Sequence, residues 1–228
     1  MSNYQKLIER VIPFFEKENL KKKGKTIFFK KDGEKEYYFA LDSLQSGYRA
    51  RCIYGIYFKK LNSFFCEVFG KRDFQRTVFF DTTNGEIDKA YKRFVLESDQ
   101  DIEENTQRTI ALYQDYAVPF FELNNTYPKI LATLRKSKGI PRTNGNPDHT
   151  LVTETAMLMD MFLTKLLEEE SYEERVNHYL ALAQDAEQNN IKGHGQGGAF
   201  TMYIQVIKDG MEKIDKADWP KIRAALGL

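Results

Sequence analysis

The sequence has few cysteines and no long apolar run, and both absences exclude classes of protein. Two cysteines occur among 228 residues, Cys52 and Cys66, fourteen positions apart and without a CxxC spacing. A disulfide framework is therefore excluded, and both are predicted to be buried thiols. No apolar run approaches the roughly 18–20 residues of a membrane-spanning helix, so none is predicted.

The N-terminal residues and the composition are typical of an intracellular globular protein. Residues 1–6 lead into mixed charged and apolar residues, not into the unbroken apolar stretch of a secretory signal, so we expect a cytoplasmic protein. The composition is 42% hydrophobic and 14% aromatic, which is enough for a sizeable core. Disorder over the whole length is therefore excluded.

The net charge is small but unevenly distributed. The whole chain carries a formal charge of +1 at pH 7. Residues 1–60 hold fourteen lysines and arginines against seven acidic residues, whereas residues 61–125 hold seven against twelve. The basic excess therefore lies at the N-terminal end. Its densest part is a basic patch formed by Lys21, Lys22, Lys23, Lys25, Lys30 and Lys31.

The first half of the sequence predicts a helix followed by strands. Residues 4–20 carry apolar side chains at helical spacing, with a kink or a break expected at Pro13. Residues 26–31 and 36–42 flank Asp32-Gly33 and predict a β-hairpin. Residues 48–58 alternate with a period of two and predict the central strand, after a turn at Ser46-Gly47. Two more strands are predicted at 64–69 and 77–81, before a turn at 82–85.

From residue 86 onward the pattern is helical. Helices are predicted at 87–96, 102–123, 126–138, 148–167, 171–188 and 199–214, with a short one after Asp218 and a loop at 140–147. This order predicts an α+β fold, in which an N-terminal helix packs on an antiparallel sheet of about five strands and a C-terminal helical half follows. The expected domains are a sheet domain at 1–125 and a helical region at 126–228, which either packs on the first as one unit or forms its own bundle.

Four features of the front half resemble an uncharacterised bacterial family, domain of unknown function 4304. They are the opening helix, the step Leu20-Lys21-Lys22-Lys23-Gly24, the aromatic strand at 26–31, and Leu41-Asp42-Ser43-Leu44-Gln45-Ser46 before the long strand. The family has a lysine between the last Gln and Ser, which this chain lacks. The resemblance covers residues 4–125 and implies the fold, but it brings no activity and no catalytic residue.

A glycine-rich loop is the best local candidate for a ligand site. It precedes a predicted helix and consists of Gly193, His194, Gly195, Gln196, Gly197 and Gly198. Glycines before a helix free backbone N–H groups that can hold a phosphate or carboxylate, and His194 would add a switchable charge. The loop lacks the GK[ST] ending of a P-loop and no strand is expected before it, so both nucleotide fingerprints fail. The alternative interpretation is a connecting loop that uses glycine for tight turns.

No pattern predicts a catalytic residue, a metal site or a cofactor. The histidines are His149, His178 and His194, and the nearest ligand-like pair is Glu174 with His178, one helical turn apart and equally explained by a surface hydrogen bond. Pro147-Asp148-His149 with Glu154 lacks the lysine that a metal-dependent nuclease would place after it. Cys52 falls in the predicted central strand with no histidine near it, and the sequence has no GxSxG motif.

The basic segment Lys21–Lys35 is the one electrostatic feature that suits a nucleic acid or an acidic partner. Aromatic residues are interleaved with its lysines, namely Phe28 and Phe29, with Tyr37 and Tyr38 just beyond. The alternative interpretation is a lysine-rich sheet edge that prevents edge-to-edge pairing. Tyr57 alternates opposite to Tyr54 and Phe58, so one face of the central strand is expected to show an aromatic side chain to a partner.

These observations favour a non-enzymatic binding or interaction module, with an accessory or toxin-neutralising role and a protein partner. The alternative is a binder of small molecules or phosphate ligands, or a hydrolase, that uses the Gly193–Gly198 loop. A weaker alternative is nucleic-acid binding through Lys21–Lys35, which the near-neutral net charge disfavours. No membrane partner is expected, and the sequence predicts no particular oligomeric state.

Overall fold

The computed structural model describes residues 1–71, 77–81, 87–136, 154–188 and 199–228. Within these ranges the chain forms two compact units. The first contains residues 1–59, 77–81 and 87–125, and the second contains residues 60–71, 126–136, 154–188 and 199–228. The predicted α+β class is confirmed, because an N-terminal helix and an antiparallel sheet are followed by a helical C-terminal half.

The first unit is built on a six-stranded antiparallel sheet. The strands are ordered β1-β2-β3-β4-β5, and β6 also pairs with β4. The elements are α1 (Asn3–Lys17), β1 (Lys21–Lys23), β2 (Ile27–Asp32), β3 (Lys35–Leu44), β4 (Arg49–Phe58), β5 (Val78–Asp81), α3 (Lys89–Lys92), β6 (Phe94–Val95), α4 (Asp99–Leu112) and α5 (Val118–Leu123), while α2 (Lys59–Phe69) follows β4.

Helix α1 packs its apolar side on the sheet. Ser2 caps it in a capping box with Gln5, and Leu7, Val11 and Phe15 are among its buried side chains. The ring of Phe15 stacks on that of Phe28 in β2 at a centroid distance of 4.4 Å. A kink or a break was expected at Pro13, and the helix continues through it to Lys17, so the break is wrong. Since proline removes only one backbone hydrogen bond, burial of the apolar side is sufficient to keep the helix continuous.

The predicted hairpin and central strand are confirmed. Strands β2 and β3 pair up to Asp32 and Lys35, and Gly33 in the turn between them has a φ of +58°. Strand β4 pairs with β3 over ten residues and with β5 and β6 on its other side, so it is the centre of the sheet. The predicted strand at 77–81 is also present, as β5.

Two predictions in this region are wrong. The predicted strand at 64–69 is the end of helix α2, where Leu61, Phe65 and Phe69 recur every four residues and are buried. The predicted helix at 87–96 is instead the single turn α3 followed by β6. There Phe94 pairs with Ala50 across the sheet, a long-range contact that no local pattern specifies.

The predicted helix at 102–123 is present but contains a π turn. Helix α4 continues into a π-helical segment, Tyr113–Ala117, and then into α5. The N–H of Val118 donates to the carbonyl of Tyr113, five residues back. Pro119 follows directly and has no backbone N–H to donate to a carbonyl of the preceding turn. The π turn therefore lies where the proline interrupts the regular helical hydrogen bonds.

The second unit consists of helices around α7. Its elements are most of α2, α6 (Tyr127–Lys136), α7 (Glu154–Leu167), α8 (Tyr172–Gln188), α9 (Ala199–Asp215) and α10 (Trp219–Leu226). The rings of Phe65, Phe69, Phe162 and Trp219 form its aromatic centre, and the side chains from Met157 to Leu163 are all buried. No helix among the described residues is both long and apolar enough to cross a bilayer.

Candidate functional site

The basic patch lies at one edge of the sheet. All six of its lysines are exposed, because β1 is an edge strand and Lys30 and Lys31 come near the end of β2. Lys23 lies 4.0 Å from the carboxylate of Glu36. The other five form no ion pair within the ranges that the structure describes. These five ammonium groups are therefore solvent-exposed charges at the sheet edge.

The aromatic residues interleaved with these lysines are core residues rather than an exposed platform. Phe28 is buried against Phe15, and Tyr38 is buried on the other face of the sheet with Ala40 and Ile53. Phe29 is half-buried, and the ammonium groups of Lys23 and Lys31 lie 5.9 and 5.8 Å from its ring centre. Its face is thus already covered by the chain's own cations.

A groove of about 520 Å³ runs beside this edge in the first unit. We call it the α1–α5 groove. Its apolar lining is Leu20, Tyr37, Tyr113, Val118 and Phe121, and its polar lining is Glu18, Lys30, Lys31, Asp32, Glu122 and Asn125. Side chains alternate along a strand, so Lys30 lies on the groove face of β2, whereas the ammonium of Lys31 lies over Phe29 on the other face. The groove therefore joins the ammonium of Lys30 to an aromatic floor, in which the rings of Tyr37 and Phe121 lie 5.3 Å apart.

Some charged groups around the α1–α5 groove are paired within the chain, and others are exposed. Asp32 lies 3.7 Å from the ammonium of Lys35, which also donates to the carbonyl of Asn125. Burial, with a smaller contribution from Glu18, raises the pKa of Tyr113 to about 12, so its hydroxyl stays protonated at neutral pH. Lys30 presents the exposed ammonium on the groove face, while Glu18 and Glu122 also line the groove, so an acidic group is expected to enter on the Lys30 side.

A buried charge network organises the second unit. Asp160 in α7 is completely buried, and its carboxylate accepts hydrogen bonds from Arg175 Nε at 2.7 Å, the Tyr179 hydroxyl at 2.6 Å and the Thr164 hydroxyl at 3.1 Å. Arg135 of α6 lies 3.9 Å from the same carboxylate and 2.7 Å from Glu168. The network therefore ties α6 and α8 to α7.

A hollow of about 300 Å³ adjoins this network, and we call it the α8 hollow. The described residues that line it are Arg135, Ser171, Glu174, Arg175 and His178. Glu174 and His178, the predicted ligand-like pair, thus share one surface, but no hydrogen bond joins them. Within the described residues, no group of three or more potential ligands is arranged to hold a metal ion.

Acid is expected to destabilise the second unit through His178. Partial loss of solvent around the ring, and then the positive charge of Arg175, lower the pKa of the largely exposed His178 below its usual 6.5, while Asp160 acts in the opposite direction. The unfolded chain therefore binds a proton at His178 more readily than the folded chain does. The stability that the folded state has with neutral His178 is complete above pH 6.5 and is lost as the pH falls below it. Urea unfolding at pH 7.5 and 5.5 should show a smaller pH effect in His178→Gln than in the native chain. The control is Asn177→Gln, a neighbouring exposed position without a titratable side chain. A pH effect in His178→Gln as large as that in Asn177→Gln would contradict this assignment.

Several residues singled out in the sequence lie outside the described ranges. These are the glycine-rich loop Gly193–Gly198 with His194, and Pro147, Asp148 and His149. Of the two cysteines, Cys52 is buried on β4 as predicted, whereas Cys66 is half-buried and accepts a hydrogen bond from the Asn62 amide at 3.7 Å. The outward-facing Tyr57 is half-buried.

The central members of both sites have weak signals in the sequence. For Asp160 the one signal is a carboxylate within the apolar run from Met157 to Leu163, which indicates a buried charge that needs partners. The α1–α5 groove has no local signal in the sequence, because its walls come from three separate segments, 18–20, 30–37 and 113–125.

No family model, curated protein or solved structure matches the chain, so the resemblance to domain of unknown function 4304 stays a prediction.

Proposed function

We propose that the first unit is a non-enzymatic binding module whose α1–α5 groove takes an acidic protein segment that carries a large apolar or aromatic side chain. The observation that carries the proposal is the joining of an aromatic floor to the exposed ammonium of Lys30 in one groove, with the rest of the basic patch beside it. Its volume of about 520 Å³ is enough for one or two side chains. An apolar anchor with charged flanks is a common form of peptide recognition.

The chemistry of the groove supports binding rather than catalysis. Its titratable groups are lysines, carboxylates, Tyr37 and Tyr113, and the raised pKa of Tyr113 means that this residue carries no phenolate to accept a proton at neutral pH. Apolar lining supplies affinity by burial, while Lys30 pairs with an acidic group of the partner and the exposed basic patch beside the groove accelerates encounter. A cytoplasmic, accessory or toxin-neutralising role is consistent with this chemistry, and belongs to the same proposal.

Nucleic-acid binding through Lys21–Lys35 is the competing proposal for the same edge. Single-stranded nucleic acids usually need exposed aromatic faces on which their bases stack. Here Phe28 and Tyr38 are buried, and Phe29 is covered by Lys23 and Lys31. These placements favour an acidic protein segment, whose side chain enters the groove, over a base that needs an open platform.

Fluorescence anisotropy with labelled probes would test the proposal. The probes are peptides of alternating glutamate and tryptophan, of glutamate and serine, and of lysine and tryptophan, together with single-stranded DNA. We expect the glutamate–tryptophan peptide to bind most tightly and to weaken as salt is raised. Equal binding of the glutamate–serine peptide would contradict the role of the apolar floor. Tightest binding of DNA would support the competing proposal.

Matched variants locate the binding in the groove. Replacing both Lys30 and Lys31 by glutamate should lower the affinity for the glutamate–tryptophan peptide by about tenfold or more. The exposed pair Lys59 and Lys89, reversed in the same way, should have a smaller effect because neither lines the groove. Val118→Gln places a polar side chain on the groove wall and should also weaken binding, whereas Leu123→Gln, at a 61% exposed position outside the groove, should not. Loss of binding in both control variants would refute the assignment to this groove.

A further inference from the structure

The α8 hollow contains more hydrogen-bond donors than the described residues use. Arg175 bonds through Nε and Nη2 to Asp160 and Tyr179, and its Nη1 has no partner within the described chain. The hydroxyl of Ser171 and the ring of His178 make no hydrogen bond there either. A cavity with unused donors is complementary to a ligand that supplies acceptor oxygens.

The principal donor is held rigidly. The side chain of Arg175 is 17% exposed, and Asp160 at 2.7 Å and the Tyr179 hydroxyl at 3.1 Å fix the guanidinium plane. Its Cζ atom also lies 4.7 Å from the centre of the Tyr179 ring. Because the planar fork is already ordered, little conformational entropy is lost when Nη1 binds a ligand.

We propose that the α8 hollow binds the oxyanion group of a small ligand. The donors are Nη1 of Arg175 and the Ser171 hydroxyl, with the ring of His178 beside them and Arg135 completing the wall. Carboxylate and phosphoryl groups both present charged oxygens that accept a hydrogen bond from one guanidinium nitrogen and another from a neighbouring hydroxyl. The volume of about 300 Å³ accommodates such a group with a body of a few atoms.

The charges of the hollow determine how this recognition works. Asp160 already neutralises Arg175, and Glu168 neutralises Arg135. Glu174 adds a negative charge to the lining, so oriented donors rather than net positive charge hold the oxyanion. It follows that Glu174 weakens oxyanion binding, and that removing its charge should tighten it. This sign distinguishes a specific site from general attraction to a basic surface.

Titration of the full-length chain with inorganic phosphate and with acetate, at constant ionic strength, tests the proposal. Backbone amide resonances of residues 171–178 should shift and saturate. Ser171→Ala should weaken binding about tenfold, and Glu174→Gln should tighten it about threefold. The control is Glu173→Gln, because Glu173 is exposed on the same turn but does not line the hollow, and its affinity should match that of the native chain.

The two anions identify the ligand class. Tighter binding of phosphate points to a phosphoryl ligand, and tighter binding of acetate points to a carboxylate. The proposal is overturned if neither anion shifts these resonances at about 50 mM, a concentration well above the dissociation constant of even a weak specific site. It is also overturned if Glu173→Gln and Glu174→Gln tighten binding equally. Neither result bears on the α1–α5 groove, which lies in the other unit.

Discussion

Replacing Asp160 by asparagine is expected to lower the free energy of unfolding of the second unit by about 3–5 kcal/mol. The carboxylate is completely buried, and it is the ion-pair partner of Arg175, whose side chain is only 17% exposed. Asparagine retains the shape but removes the charge, so the guanidinium stays buried without compensation. The substitution also replaces one acceptor oxygen by an NH₂ donor. This donor would face Arg175, Tyr179 and Thr164, whose side chains all donate to the carboxylate.

Urea unfolding followed by tryptophan fluorescence measures this effect in the right unit. Trp219 is the single tryptophan and is buried in α10 against Phe162 of α7. The matched control is Glu168→Gln, which also removes a carboxylate from Arg135 but at a 45% exposed position. Because exposed ion pairs contribute little, that variant should lose less than about 1 kcal/mol.

The double variant Asp160→Asn with Arg175→Met separates charge from packing. Removing both partners eliminates the uncompensated guanidinium, so the double variant should be more stable than the sum of the single effects predicts, by about 1–3 kcal/mol. Strict additivity of the two substitutions would show that the pair is not energetically coupled. A loss in Asp160→Asn no larger than that in Glu168→Gln would contradict the assignment of Asp160 as the buried charge of this unit.

Elements with strong local signals were predictable from the sequence. The hairpin of β2 and β3 follows from the turn at Asp32-Gly33, where only a glycine readily takes a positive φ, and from aromatic residues on both sides. Strand β4 follows from a period-two alternation over eleven residues, 48–58. Helices α8, α9 and α10 follow from apolar spacing and from the capping residue Asp218.

Elements specified by long-range contacts were not predictable. Residues 64–69 are rich in phenylalanine, which suits a strand, but Phe65 and Phe69 contact Phe162 of α7, and this contact selects the helix. The same limit applies to the α1–α5 groove. Lys30 and Tyr37 share the basic segment and its flank, but Phe121 is about 90 positions away in the chain and reaches them only in the folded unit.

Replacing Gly55 by alanine is expected to destabilise the first unit by about 2–3 kcal/mol, because the centre of the sheet has no room for a Cβ atom. An added Cβ would lie 2.6 Å from the Tyr38 hydroxyl and 2.8 Å from the Phe79 Cα, and closer still to the carbonyl oxygen of Val78. Two of these neighbours are backbone atoms of β5, so they cannot move aside without loss of the β4–β5 pairing. The φ of Gly55 is ordinary, so the constraint is the close approach of the strand and not the backbone angle.

Two further variants test whether the backbone of β5 causes this loss. Gly210→Ala in α9 also brings a Cβ within 2.6 Å of an atom, but that atom is Cδ2 at the flexible end of Leu158. Because alanine also favours a helix over glycine by about 1 kcal/mol, Gly210→Ala should stay within about 1 kcal/mol of the native chain. Tyr38→Phe removes the hydroxyl contact and leaves both backbone contacts, so in Gly55→Ala it should restore only part of the lost stability. Full restoration by Tyr38→Phe, measured by far-UV circular dichroism in urea, would place the constraint on the hydroxyl. A native-like Gly55→Ala would instead show that β5 can shift without cost.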